Sequence, residues 1–170
     1  MTYKVLSSIA ANSINSADIL KVKTDLLIIG VNNKTGSATE LKDIQSSDKS
    51  LVPESINEIN KGSRKSIFLP TPAKANAKNI LLIKEPAEDA ASFLVIRYFE
   101  EIMGIIKSSK AKDFAFLMSS ATPKKIDLNW RAEVAARTFE ASAYTFNATK
   151  NKTAKLVTVK KGTLLFSGLT

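Results

Sequence analysis

Asp25-Leu-Leu-Ile-Ile-Gly-Val31 is an unbroken apolar run set between polar turn residues. A strand with one wet face alternates apolar and polar residues, whereas a strand covered on both faces does not. This run is therefore expected at the centre of a sheet with layers on either side. Downstream, Ser66-Ile-Phe-Leu-Pro70 and Asn79-Ile-Leu-Leu-Ile-Lys84 read as two strands joined through the Pro- and Ala-containing turn Thr71 to Lys78, which predicts a hairpin. Upstream, Thr2 to Ser8 is a short mixed segment, with Tyr3 and Val5 on one face of a first strand. Asn32 to Ser50 is polar, a long loop with a turn of helix around Leu41 to Ile44. Pro53 suits the start of a short helix through Ile56 and Ile59, and Gly62 suits its end.

Ala90 to Ser109 carries an apolar face at Val95, Phe99, Ile102, Met103 and Ile106 and reads as a long helix. Glu88 and Asp89 suit its amino end, and Lys107 and Lys110 its carboxyl end, through the helix macrodipole. Gly104 is costly inside a helix, so it is expected at a close approach to the sheet. Asp113 to Ser119 is a further strand. In Asp127 to Lys152, DLNWRAEVAARTFEASAYTFNATKNK, the residues Leu128, Ala132, Ala135, Ala136, Phe139, Ala143 and Phe146 draw one stripe down a helix of about five turns. Arg131, Glu133, Arg137 and Glu140 are expected off that stripe, with Glu133 and Arg137 as an i,i+4 pair. Lys155 to Val159 reads as a strand, and Lys161-Gly162 as a turn before Thr163 to Phe166. Strands alternating with long helices define an α/β layered domain with a mixed sheet.

At 170 residues, 44% hydrophobic and 24% charged, the chain can bury one core. Cysteine and histidine are both absent, which removes disulfides, thiolate catalysis, the Ser-His-Asp triad and every imidazole or thiolate metal ligand. No apolar run is long enough to span a membrane and no secretion signal stands at the amino terminus, so a soluble, cytoplasmic protein without a membrane partner is expected. The net charge of +9 is uneven: residues 1–60 hold six Lys and seven acids, and residues 61–170 hold nineteen Lys or Arg and nine acids. Lys150, Lys152, Lys155, Lys160 and Lys161 follow one another without an acid between them and are the candidate nucleic-acid-binding residues, DNA being the possible partner. A scattered, solvated lysine surface is the plainer reading, because no arginine cluster with interleaved aromatics accompanies them.

Gly30 and Gly36, followed by Ser37, sit after a strand as a phosphate loop would. Five residues rather than four separate them, so a turn is preferred. Glu100 with Glu101, like Glu88 with Asp89, are neighbours that point about 100° apart on a helix and do not converge on one atom. Asp25 and Asp113 each precede a strand, where an acid marks a sheet edge. No carboxylates show metal-ligand spacing, and no catalytic or metal-binding residue is assigned. Trp130, the lone tryptophan, is expected to be buried against a neighbouring loop or a second domain, and Tyr144 and Phe146 in the core. Three Asn-x-Thr triplets, at Asn33, Asn147 and Asn151, match the glycosylation pattern by chance.

Trp130-Arg131, leading through Glu133 and Ala136 to Tyr144-Thr-Phe146 and Lys150-Asn-Lys152, resembles the last helix, aromatic-x-Phe ending and basic segment of the amino-terminal domain of the leucyl aminopeptidases. With the strands at 25–31, 66–70 and 79–84, the resemblance covers residues 3 to 160. It implies a three-layer, macro-domain-like α/β fold, with residues 1–160 a non-catalytic domain and 161–170 the start of a connection to an absent catalytic domain. That absent domain would hold two divalent metal ions, Mn or Zn, and cleave amino-terminal residues such as leucine from peptides, while this segment itself holds no cofactor. Its partners would be its own catalytic domain and neighbours in a hexamer, and its role assembly and access to the active site. The family's glycine-rich ending after Leu82 is replaced here by Ile83-Lys84-Glu85-Pro86. The other readings are a nucleic-acid-binding module and, through the macro-like fold, a module for nucleotide or ADP-ribose.

Overall fold

In the computed structural model, the residues described are 3–4, 8–14, 16–31, 51–87, 89–118, 127–143, 145–146 and 159–167. In chain order the elements are β1 (Tyr3–Lys4), β2 (Ser8–Ile14), a 3₁₀ helix (Ser16–Lys21), β3 (Leu26–Val31), α1 (Leu51–Asn60), β4 (Ser66–Leu69) and β5 (Asn79–Lys84). Then come α2 (Ser92–Ser108), β6 (Asp113–Met118), α3 (Leu128–Ala143), β7 (Thr145–Phe146) and β8 (Lys161–Ser167). Six strands form one sheet in the order β2-β8-β6-β3-β5-β4. All neighbours run parallel except β4, which pairs antiparallel with β5 as the predicted hairpin.

β3 is buried at every position. Its alternate residues serve two separate cores. Leu26 and Ile28 join Phe114, Phe116 and Leu164 beneath α2 and α3, while Leu27, Ile29 and Val31 join Leu82, Leu117 and Leu165 beneath the 3₁₀ helix and α1. Helices on both faces of a sheet explain the unbroken apolar run, and the chain is a three-layer α/β fold with a mixed sheet. On the α2 and α3 face, Phe139 packs edge-to-face on Phe99, Phe114 and Phe116 with centroids 5.2–6.2 Å apart. The five α2 residues expected in the core are all buried. α1 closes as expected: Gly62, at φ +79°, donates to Ile59 O at 3.1 Å while Ser63 donates to Glu58 O at 3.1 Å, a Schellman ending.

Several expectations change. The long first strand is Ser8–Ile14, paired with β8 along seven residues, whereas Tyr3–Lys4 forms a two-residue ladder with Thr145–Phe146. That ladder also accounts for the early end of α3: the backbone at 145–146 bonds across to β1, so Phe146 leaves the helical stripe. Lys161 and Gly162 are the first residues of β8, not a turn. Residues 161–167 lie in the interior of the sheet, between β2 and β6. A Cβ on Gly162 would lie 2.6 Å from the Phe114 ring, so the glycine answers a packing demand. Gly104, by contrast, is exposed and its missing Cβ would meet nothing within 4 Å. α2 starts after Ala91, with no side-chain cap and no acid in its first turn; Asp89 precedes it, and Glu88 lies outside the described residues. The 32–50 loop, the three Asn-x-Thr triplets, Tyr144 and the stretch 155–158 also lie outside them, and Val159 is not in a strand.

The two acids expected at the sheet edge brace neighbouring strands. Asp25 Oδ2 accepts from Lys112 N at 2.9 Å and Asp25 Oδ1 pairs with Lys78 Nζ at 2.5 Å. Asp113 Oδ1 in turn accepts from Asp25 N and Thr24 Oγ1, both at 2.8 Å. The Lys78 ammonium, followed by the Lys112 N–H, holds the Asp25 carboxyl below its ordinary range.

Three outcomes follow from this packing. Gly104→Ala should raise unfolding stability by about 0.5–1 kcal/mol in urea titrations, since only backbone entropy and helix propensity change; Gly162→Ala should lower it by about 1–3 kcal/mol by overpacking against Phe114. Because the folded pKa of Asp25 is depressed, its contribution to stability is present above the unfolded value of about 3.9 and is lost as pH falls through the folded value. The stability difference between the wild type and Asp25→Asn should accordingly shrink as pH drops below about 4, and a difference that stays constant to lower pH would contradict the assignment.

Candidate functional site

Parallel strands end together, and the edge formed by their carboxyl ends is where open α/β sheets accept ligands. At this edge β5 runs on one residue further: Glu85 N donates to Val31 O at 2.9 Å, which extends the β3–β5 ladder and turns the Glu85 side chain towards α2 and α3. Glycine at position 30 makes this possible, because a Cβ there would stand 2.2 Å from Glu85 Oε1. The carboxylate meets Arg131 Nη2 at 3.2 Å, and both side chains are 2% exposed. This is the only ion pair of the described residues to be shut away on both sides; the Glu133–Arg137 pair, formed at 2.5 Å as expected, is on the surface.

Arg131 is thus corrected from the polar face of α3 to its buried one. Positions 131, 135 and 139 are spaced by four, and Ala135 and Phe139 are fully buried beside it. Arg131 Nε and Nη1 and the Tyr98 hydroxyl are buried without a hydrogen-bond partner among the described residues. Burial first, and the Glu85 charge second, push the Tyr98 hydroxyl well above the ordinary phenol range, so it remains a neutral donor. Beside Arg131 and Glu85, with Pro86 and Val95, lies a cavity of about 10 Å³. On the outer side of Glu85 and Pro86 a recess of about 600 Å³ opens between the end of β5 and the first turns of α2. Its wall is apolar at Ile83, Ala90 and Leu94, and charges of both signs stand around it at Lys65, Lys84, Arg97, Asp89 and Glu101.

Of the lysines singled out by charge, Lys150, Lys152 and Lys155 lie outside the described residues. Lys160 and Lys161 are exposed at the start of β8, the opposite end of the sheet from this recess. Lys161 borders a second hollow, about 350 Å³, with Thr24, Asp113 and Thr163. Glu100 and Glu101 are exposed side by side on α2, and Trp130 is half-buried against the core beneath α2 and α3. Glu85, Arg131 and Tyr98 were not singled out as site residues by their sequence context. The available signals were a glycine interrupting a buried strand and an arginine in step with Ala135 and Phe139.

No family model and no curated protein sequence matches the chain. Solved structures match it along nearly its whole length. A mutant of tomato leucine aminopeptidase superposes with a TM-score of 0.61 and 15% identity over 96% of this chain. The Oceanobacillus iheyensis macrodomain with MES bound gives 0.65 and 11%, covering 97% of this chain and 88% of that one. The Trypanosoma brucei macrodomain in complex with ADP-ribose gives 0.64 and 10%, covering 92% and 63%. The chain therefore has a macrodomain-like α/β fold, and it spans about a third of the length of the tomato enzyme, 33%.

Removing one member of the enclosed pair leaves the other charge uncompensated. Arg131→Met should cost about 3–5 kcal/mol of stability, and adding Glu85→Leu to it should restore most of that loss. Denaturant titration of the two single variants and the double variant measures this; additive losses would show that the two side chains act independently.

Proposed function

We propose that this chain is the non-catalytic α/β unit of a larger leucyl aminopeptidase, serving assembly of the enzyme and access to its active site. The observation that carries this reading is the match to the tomato enzyme, which takes in 96% of this chain yet only 33% of that protein. Trp130 to Lys152, with its likeness to the family's last helix and basic segment, supports it from the sequence. The parent would release amino-terminal residues from peptides using two divalent ions, Mn or Zn, to activate water and polarise the scissile carbonyl. Among the described residues no group of three or more His, Cys, Asp or Glu side chains could hold a metal ion. Hexamer neighbours would be its further partners.

A second reading, a macro-like ligand-binding module, draws on the macrodomain matches that cover most of both chains and on the recess near the carboxyl end of β5. DNA binding by the lysines at 150–161 has weaker support, since Lys160 and Lys161 stand at the far end of the sheet from that recess. No helix among the described residues is long and apolar enough to cross a membrane.

The isolated 170-residue chain should release no p-nitroaniline from leucine p-nitroanilide with Mn²⁺ or Zn²⁺, whereas the polypeptide translated beyond Thr170 should. A stop codon directly after Thr170, together with saturable ADP-ribose binding in calorimetry, would replace the aminopeptidase reading with the macro-like one.

A further inference from the structure

Three of the four large apolar side chains left exposed among the described residues fall within one turn of α2: Phe93 at 58%, Leu94 at 41% and Ile96 at 37%. Leu94 belongs to the wall of the recess. Phe93 and Ile96 lie on another face. Val95, Phe99 and Ile102 are buried against the sheet, and the positions opposite them at helical spacing are 93, 96, 97, 100 and 104, all exposed. This outer stripe reads Phe, Ile, Arg, Glu, Gly. Glycine is a poor choice inside a helix, and nothing within the chain asks for it at 104, where a Cβ would meet no atom within 4 Å. Arg97 and Glu100 form no ion pair among the described residues.

The stripe is complementary to itself. Let two copies of α2 lie antiparallel about a two-fold axis that passes between Tyr98 and Phe99. Phe93 of each copy then stands opposite Gly104 of the other, and Arg97 opposite Glu100, because both pairs are symmetric about that point. The missing Cβ lets the two helices close on the phenylalanine ring, and Ile96 adds apolar surface between the ring and the charges. Every contact occurs twice, which is the mark of an isologous interface.

We infer that the outer face of α2 is the contact surface of a two-fold dimer of this chain. A second copy suits the stripe better than an unlike protein does, since one face carries both halves of each contact: a ring and the gap that receives it, a cation and its anion. From 93 to 104 the contact runs along about 16 Å of helix. That is small for a specific interface, so the dimer is weak and depends on concentration. It does not rest on the aminopeptidase reading.

Sedimentation equilibrium of the 170-residue chain should show a reversible monomer–dimer equilibrium with a Kd on the order of 10–100 μM. Arg97→Glu and Glu100→Arg should each weaken it about tenfold, because like charges then face one another at two places. Combining the two substitutions in one chain should recover most of the loss, and an equimolar mixture of the two single variants should form a mixed dimer. Gly104→Gln fills the gap with a good helix former, so it should keep or raise the Tm at low concentration while abolishing the dimer. Melts of the charge variants at low concentration check that each is folded. A chain that stays monomeric to about 1 mM, a dimer that these variants leave unchanged, or a double variant no tighter than the single ones overturns the assignment. No peptidase assay enters, so failure here leaves the aminopeptidase reading untouched, and failure of that reading leaves the dimer standing.

Discussion

Burial of β3 on both faces is the constraint from which the rest of the molecule follows. Once Leu26 and Ile28 face one way and Leu27, Ile29 and Val31 the other, two separate cores have to be roofed. Parallel neighbours cannot be joined by tight turns, so the connections leave the sheet and supply those roofs as helices. α2 links β5 to β6 and α3 lies between β6 and β8, and both cover one face, while the 3₁₀ helix and α1 cover the other. The aromatic cluster centred on Phe139 then fixes α3 against three different neighbours. Phe114 reaches over Gly162 within it, which couples the composition of β8 to the shape of this core.

A charge pair inside such a core needs a reason to persist, because well-packed apolar residues serve stability as well or better. Here the pair sits where regular pairing runs out. Val31 is the last residue of β3, and its carbonyl would end in an apolar layer without the Glu85 N–H. Bringing Glu85 to that rung carries its carboxylate inside, and Arg131 from α3 neutralises it. One hydrogen bond at the end of a ladder therefore ties the sheet, the start of the β5–α2 connection and the first turn of α3 together.

How far the sequence disclosed this depended on whether a residue's role was local. β3, β5, β6 and the core face of α2 were legible because burial writes itself as continuous or periodic apolar residues. β2 was not, since Ala11, Asn12 and Ser13 are exposed on an edge strand and its regularity comes from the backbone ladder with β8. Lys161-Gly162 imitates a turn in composition, but the glycine's neighbour is Phe114, forty-eight positions earlier, and no local pattern reports such a contact. The apolar stripe of α3 matches the helix through Phe139 but continues in the sequence to Phe146, past the end of the helix at Ala143, where the chain pairs with β1. The charge of Arg131 points to the polar face of α3, whereas its spacing from Ala135 and Phe139 places it on the buried one. The recess could not be read at all: it joins Lys65, the end of β5 and the first turns of α2, and only the folded chain brings them together.

This arrangement also bears on where the molecule can hold a ligand. In an open α/β sheet the crevice at the carboxyl ends of the central strands is the usual place. On the α2 and α3 side of β3 and β5, that crevice is filled by the protein itself: a Cβ at position 30 would collide with Glu85, and Glu85 is closed over by Arg131. Among the described residues, an open volume lies to the side, past Pro86, on the flank of α2. A fold shared with proteins crystallised with ADP-ribose or ADP thus need not imply the same point of contact, because the fold fixes where strands end and the side chains decide what space is left. At this point of the sheet the absence of a side chain at Gly30 and the presence of Glu85 and Arg131 decide what space is left.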